Sequence, residues 1–162
     1  MFIRDVLEAL AREGARYCLV GGVAINLHGI PRMTYDVDVV VVPRADDLRA
    51  TARALEGLGL RPRHPVSLEA FADPAYRESA ANARNVVAVT FTDPADPLRE
   101  VDVLVAPPVD AEGLVARAVT LSLGDLDVRV ASIQDLIAMK RASGRAQDLA
   151  DVGKLASDGY AF

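Results

Sequence analysis

The chain has 162 residues, enough for one domain with a self-sufficient core, or one domain with a small appendage. With 51% hydrophobic and 25% charged residues it has the composition of a soluble globular protein, which excludes a disordered or low-complexity chain. A formal net charge of -5 offers no broad basic field to polyanions, so nucleic acid, if bound, needs a local patch.

The opening stretch MFIRDVLEALAREG places apolar residues at helical spacing and predicts an amphipathic helix ending near Gly14. Its acidic residues stand where a signal peptide needs an apolar core. No later run approaches about 18 consecutive apolar residues, so a cytoplasmic protein with no membrane association is expected. Tyr17 to Val20 reads as a short buried strand, and the single Cys18 within it reads as a small core residue that can form no internal disulfide. Gly21-Gly22 breaks that strand, Val23 to Leu27 starts a helix, and Gly29-Ile30-Pro31 ends it. Thr34 to Val42 is rich in β-branched residues and predicts a strand closed by Pro43.

Leu48, Ala52, Leu55 and Leu58 mark the inner face of a helix from about Asp46 to Gly57. Residues 61 to 85 are interrupted by prolines and are expected to hold one or two short helices. The runs Val86 to Phe91 and Val101 to Val105 flank a turn-rich segment, Thr92 to Pro97, and read as neighbouring strands that extend the sheet. Asp110 can cap a short helix, and Val119 to Leu123 with Leu126 to Val130 around Gly124-Asp125 predicts a hairpin. Ser132-x-x-Asp135 resembles a helix-start signature, Gly144 interrupts that helix, and a last helix from about Ala146 to Ser157 is expected to turn Leu149, Val152 and Leu155 inward. The expected fold class is α/β (α+β), a mixed β-sheet flanked by helices. The expected organisation is a core over residues 1–131 and a helical tail, 132–162, packed upon it.

The chemistry concentrates in Gly21-Gly22 and Arg32-x-Thr34-x-Asp36-x-Asp38. In a strand, residues two apart share a face and lie about 6.6 Å apart, so Asp36 and Asp38 project together while the alternate valines face the core. Carboxylates brought within about 4 Å repel by roughly 4 kcal/mol at an effective dielectric of about 20, a cost that a divalent cation removes. Asp102, in a later Val-Asp-Val run, is the candidate third carboxylate, and Glu100 alternates with it on the same face. The glycine pair lets backbone N–H groups approach a triphosphate, and Arg32 and Thr34 can add donors. A lone Gly-Gly is usually a turn and a lone Asp-x-Asp usually a solvated edge; their ordered combination carries more weight.

At these residues the sequence resembles the nucleotidyltransferase superfamily that shares its catalytic fold with DNA polymerase beta. Ser132 to Lys140, followed by Arg145 to Asp151, is similar to the C-terminal helices of small AbiEii-like bacterial nucleotidyltransferases. The resemblance implies a nucleotidyltransferase fold, Mg2+ (two ions) held by Asp36, Asp38 and Asp102, and an NTP whose triphosphate meets Gly21, Gly22, Arg32, Thr34 and Lys140. It also implies a supporting polar or base role for Asp148 or Asp151, which, with Arg145, can equally form ion pairs between helices. It does not extend to the large substrate-binding domains of polymerases and AbiEii toxins, so the acceptor stays open among RNA, protein and a small molecule. A basic patch of Arg61, Arg63, Arg77 and Arg84 would favour RNA.

The reading is therefore a Mg2+-dependent transfer of NMP from an NTP to a hydroxyl, possible within a toxin–antitoxin pair with a protein partner. A non-catalytic nucleotide-binding or antitoxin-like protein and a structural domain with an acidic strand edge are the alternatives. His28 and His64 carry no clear catalytic signal.

Overall fold

The computed structural model describes residues 1–84 and 87–158, with the side chains of Arg84 and Asp158 outside that description. Val86, expected to open a strand, and residues 159–162 of the tail lie outside the described residues.

The first helix, α1 (Phe2–Arg12), buries Val6, Leu7, Ala9 and Leu10. That stripe follows from apolar residues recurring with the helical period. β1 (Tyr17–Val20) is buried along its whole length. α2 (Gly21–Leu27) starts at the glycine pair itself, not at Val23. β2 (Val37–Val41) is shorter than the strand expected over Thr34 to Val42. Its start has a physical cause: Val20 is the last β1 residue opposite β2, paired with Asp38, and the chain then leaves the sheet as α2. Residues ahead of Val37 have lost that neighbour, so Asp36 precedes the strand instead of belonging to it. Val37, Val39, Val40 and Val41 are all fully buried, so both faces of β2 are covered beyond Asp38.

Next come α3 (Ala45–Gly57), β3 (Arg61–Pro62), a 3-10 turn (Leu68–Ala72) and α4 (Pro74–Arg84). The hairpin β4 (Ala88–Asp93) and β5 (Asp96–Leu104) extends into the segment expected to be a loop, leaving Pro94 and Ala95 at its tip. α5 (Ala111–Arg117) is capped by Asp110, whose carboxylate accepts from the Gly113 N–H at 3.0 Å. β6 (Val119–Leu123) and β7 (Leu126–Val130) form the expected hairpin.

α6 (Ile133–Ser143) is capped by Ser132, whose hydroxyl accepts from the Asp135 N–H at 3.1 Å. Gly144 ends it in a left-handed conformation, φ 65°, where a side chain would be strained. α7 (Ala146–Asp158) follows.

The described strands form one mixed seven-stranded sheet in the order β3-β4-β5-β2-β1-β7-β6. β2 runs parallel to β5 and antiparallel to β1, while β1 and β7 are parallel. Helices supply the rest of the core through Leu48 and Leu55 of α3, Leu114 of α5, Leu136 of α6 and Leu155 of α7. Cys18 is buried there, and burial pushes its thiol up to about 12, so it is an inert core group. Among the described residues no helix is long and apolar enough to cross a membrane.

The expected inner face of α7 is out of phase with the observed one. Leu149 is 53% exposed, while Asp148 and Asp151 are only 3% and 8% exposed. Val152 and Leu155 do turn inward as expected. Ion pairs to cations on neighbouring elements hold the two aspartates inside, a demand that hydrophobic periodicity cannot register.

Candidate active site

The sheet register assembles the site. Asp102 on β5 lies directly opposite Asp38 on β2, and Thr90 on β4 lies directly opposite Asp102. Adjacent strands are about 4.8 Å apart, so the three polar side chains stand side by side on one face. Val20 of β1 continues the row beyond Asp38, and the next residue is Gly21.

Both glycines are required by what lies against them. A Cβ on Gly21 would run into the Asp38 carboxylate, with Cγ at 2.7 Å, and Gly21 has φ +68° besides. A Cβ on Gly22 would lie 2.6 Å from Thr34 Oγ1 and 2.7 Å from Thr34 Cβ. The glycine pair and the Thr34 to Asp38 segment are therefore two halves of one packed unit.

All eight residues singled out by sequence line one cleft of about 730 Å³: Gly21, Gly22, Arg32, Thr34, Asp36, Asp38, Asp102 and Lys140. Val87, Leu104, Pro107 and Met139 add apolar surface to its lining. Glu100, the alternative to Asp102, is tied to Arg63 in an ion pair. Three members of the expected basic patch, Arg61, Arg63 and Arg77, have partners within the protein, and the Arg84 side chain lies outside the described residues. Arg61 donates to the Glu56 and Leu60 carbonyls, and Arg77 to those of Phe71 and Ala72.

Burial pushes the Asp38 carboxyl up to about 6, and the neighbouring Asp102 and Asp36 charges add to the shift against the opposing pull of Lys140 and Arg32. The cleft thus holds an excess of negative charge at its base. Among the described residues, no three His, Cys, Asp or Glu side chains gather into a cage able to hold a metal ion unaided. Asp36 is exposed and precedes β2, outside the register that pairs Asp38 with Asp102. Mg2+ is commonly held by one or two carboxylates together with substrate phosphates, so these oxygen donors fit that ion.

The cationic side is built by the tail. Lys140 Nζ donates to Asp148 Oδ1 at 2.6 Å and lies 3.2 Å from Asp151 Oδ2, while the Arg32 guanidinium donates to Asp151. Ser143 and Arg145 also donate to Asp148, Arg145 at 2.7 Å. Burial acts to raise the Asp148 carboxyl, but the hydrogen bonds from Lys140, Ser143 and Arg145 outweigh it and hold the group well below the usual carboxylate range. The ion pairs expected between these helices are present: Asp148 joins Lys140 to Arg145, and Asp151 joins Lys140 to Arg32.

Thr90 is not among the residues that the sequence motifs single out, yet its hydroxyl donates to Asp102 Oδ1 at 2.5 Å. The signal was its position between buried Val89 and Phe91, the same alternation that exposed the aspartates. His28, by contrast, is structural: its Nε2 lies 2.8 Å from the Ala131 carbonyl, linking the end of α2 to the start of α6.

A mixed sheet whose central strands present carboxylates beside a glycine-led helix is the architecture of a nucleotidyltransferase. The family model for the nucleotidyl transferase AbiEii toxin of type IV toxin–antitoxin systems matches residues 5–162, and the chain belongs to that family. No curated protein matches the chain.

Proposed function

We propose that the protein is a Mg2+-dependent nucleotidyltransferase that moves NMP from an NTP to a hydroxyl acceptor and releases pyrophosphate. The observation that carries this reading is the convergence of glycines, carboxylates and cations from separate parts of the chain on one cleft. Asp38 and Asp102 hold Mg2+, and Asp36 completes the carboxylate set. When bound, the ion neutralises charge on the carboxylates and phosphates and polarises the phosphoryl group under attack. Gly21 and Gly22 allow the triphosphate to approach the backbone, with Arg32, Thr34 and Lys140 as donors to its oxygens. Asp148 and Asp151 fix the direction of Lys140 and Arg32. Thr90 donates to Asp102 Oδ1 and so fixes the orientation of that carboxylate. The acceptor hydroxyl gives its proton to Asp102 as its oxygen bonds to the α-phosphorus, the bond to the bridging oxygen breaks, and pyrophosphate departs.

The apolar surface of Val87, Leu104, Pro107 and Met139 suits the flat face of a nucleobase or an acceptor ring. The acceptor remains RNA, protein or a small molecule, and the internal engagement of Arg61, Arg63 and Arg77 lends the RNA reading no added weight. The family's description supports work as the toxin of a pair, with an antitoxin protein as partner, over a non-catalytic antitoxin-like role. NTP with Mg2+ is expected to raise the melting temperature of the wild type, with Asp36→Ala and Asp38→Ala abolishing transfer. Absence of any Mg2+-dependent stabilisation, or transfer left intact in those variants, would contradict the reading.

A further inference from the structure

Residues 30–36 form an irregular segment between α2 and β2, yet they carry Arg32, Thr34 and Asp36. Their direction must be set by something other than a strand ladder. Asn26, on the α2 turn below, meets the main chain of this segment at two points. The Arg32 N–H donates to Asn26 Oδ1 at 2.6 Å, and Asn26 Nδ2 donates to the Arg32 carbonyl at 2.9 Å. One carboxamide thus completes both main-chain groups of a single residue, as a neighbouring strand would.

We propose that Asn26 is a positioning residue of the nucleotide site, a side-chain clamp that fixes the Arg32 backbone and so aims Arg32, Thr34 and Asp36 into the cleft. This rests on the nucleotidyltransferase reading. Asn26 belongs to the same helix as Gly21 and Gly22, so the clamp ties the phosphate-facing glycines to the segment that supplies their partners. Arg32, Thr34 and Asp36 all line the cleft, so holding the backbone of one fixes the path of the short segment that carries the other two.

The test pairs amide hydrogen exchange at residues 29–36 with Mg2+-NTP affinity in Asn26→Ala and Asn26→Asp. In Asn26→Ala the Arg32 amide exchanges about tenfold faster or more and Mg2+-NTP binding weakens about tenfold, as the loss of two neutral hydrogen bonds implies. Asn26→Asp keeps the acceptor for the Arg32 N–H but loses the donor, so amide protection persists while affinity falls partway. Unchanged exchange at Arg32 in Asn26→Ala, or unchanged affinity in either variant, overturns the proposal. If Asn26→Ala does not fold, Asn26→Asp decides by affinity alone: a partial loss supports the clamp and unchanged affinity overturns it. A wild type that binds no Mg2+-NTP would sink the transferase reading, while its exchange data would still decide whether the clamp exists.

Discussion

At the scale of single residues, Asp38 sets stability against function. Its folded carboxyl titrates near 6 because of burial, then Asp102 and Asp36, whereas an unperturbed Asp titrates near 3.8. A raised carboxylate means that the folded state binds the proton more tightly, so the ionised form costs stability above about pH 6. That cost fades as pH falls and is gone below the unfolded value. Asp38→Asn in the presence of EDTA should therefore be more stable than wild type at pH 7.5 by about 3 kcal/mol, the free energy by which a carboxyl raised from 3.8 to about 6 disfavours its ionised form. The advantage should shrink toward pH 4. Urea unfolding at both pH values measures it, and an advantage that grew in acid would refute the electrostatic account.

Gly21→Ala offers a steric counterpart. With the Asp38 carboxylate in the way and φ at +68°, the substitution should cost about 1–3 kcal/mol, as overpacking does, and displace Asp38 with loss of transfer. Gly57→Ala, on α3 with nothing within 4 Å of the added carbon, should be neutral or slightly stabilising. Parallel denaturation curves and transfer assays distinguish the two. Equal effects would mean that the glycine pair is a turn and nothing more.

At the scale of elements, α7 is a charged helix packed by its aspartates. Asp148→Ala would leave Lys140, at 12% side-chain exposure, without its closest partner. Breaking a buried pair from one side should cost about 3 kcal/mol, and Leu149→Gln, on the exposed face, about 0.5 kcal/mol or less. Chemical denaturation of the two variants checks the assignment; the reverse ranking would restore the phase that hydrophobicity alone suggests.

This helix also marks the limit of sequence reading. Leu149 looked like a core residue because periodicity weighs apolar side chains and is blind to a carboxylate that has found a buried lysine. Asp38 and Asp102, by contrast, were legible because alternation within a valine-rich strand separates a polar position from the core. Their adjacency was not legible, since it depends on the parallel pairing of β2 with β5. Thr90 and Asn26 acquire meaning only from partners that the folded chain brings to them.

At the scale of the whole molecule, the mixed sheet holds the carboxylates rigidly on β2 and β5, while α2 and α6 deliver the glycines and Lys140 from opposite parts of the chain. The arrangement predicts which phosphorus of the nucleotide is attacked, and this can be read without knowing the acceptor in advance. Protein is incubated with Mg2+ and NTP labelled at either the α- or the γ-phosphorus, against tRNA, protein and small-molecule hydroxyl acceptors. Nucleotidyl transfer predicts acceptor labelling from the α-label alone, abolished in Asp38→Asn. Labelling from the γ-phosphorus, or α-label transfer that survives Asp38→Asn, would contradict the account.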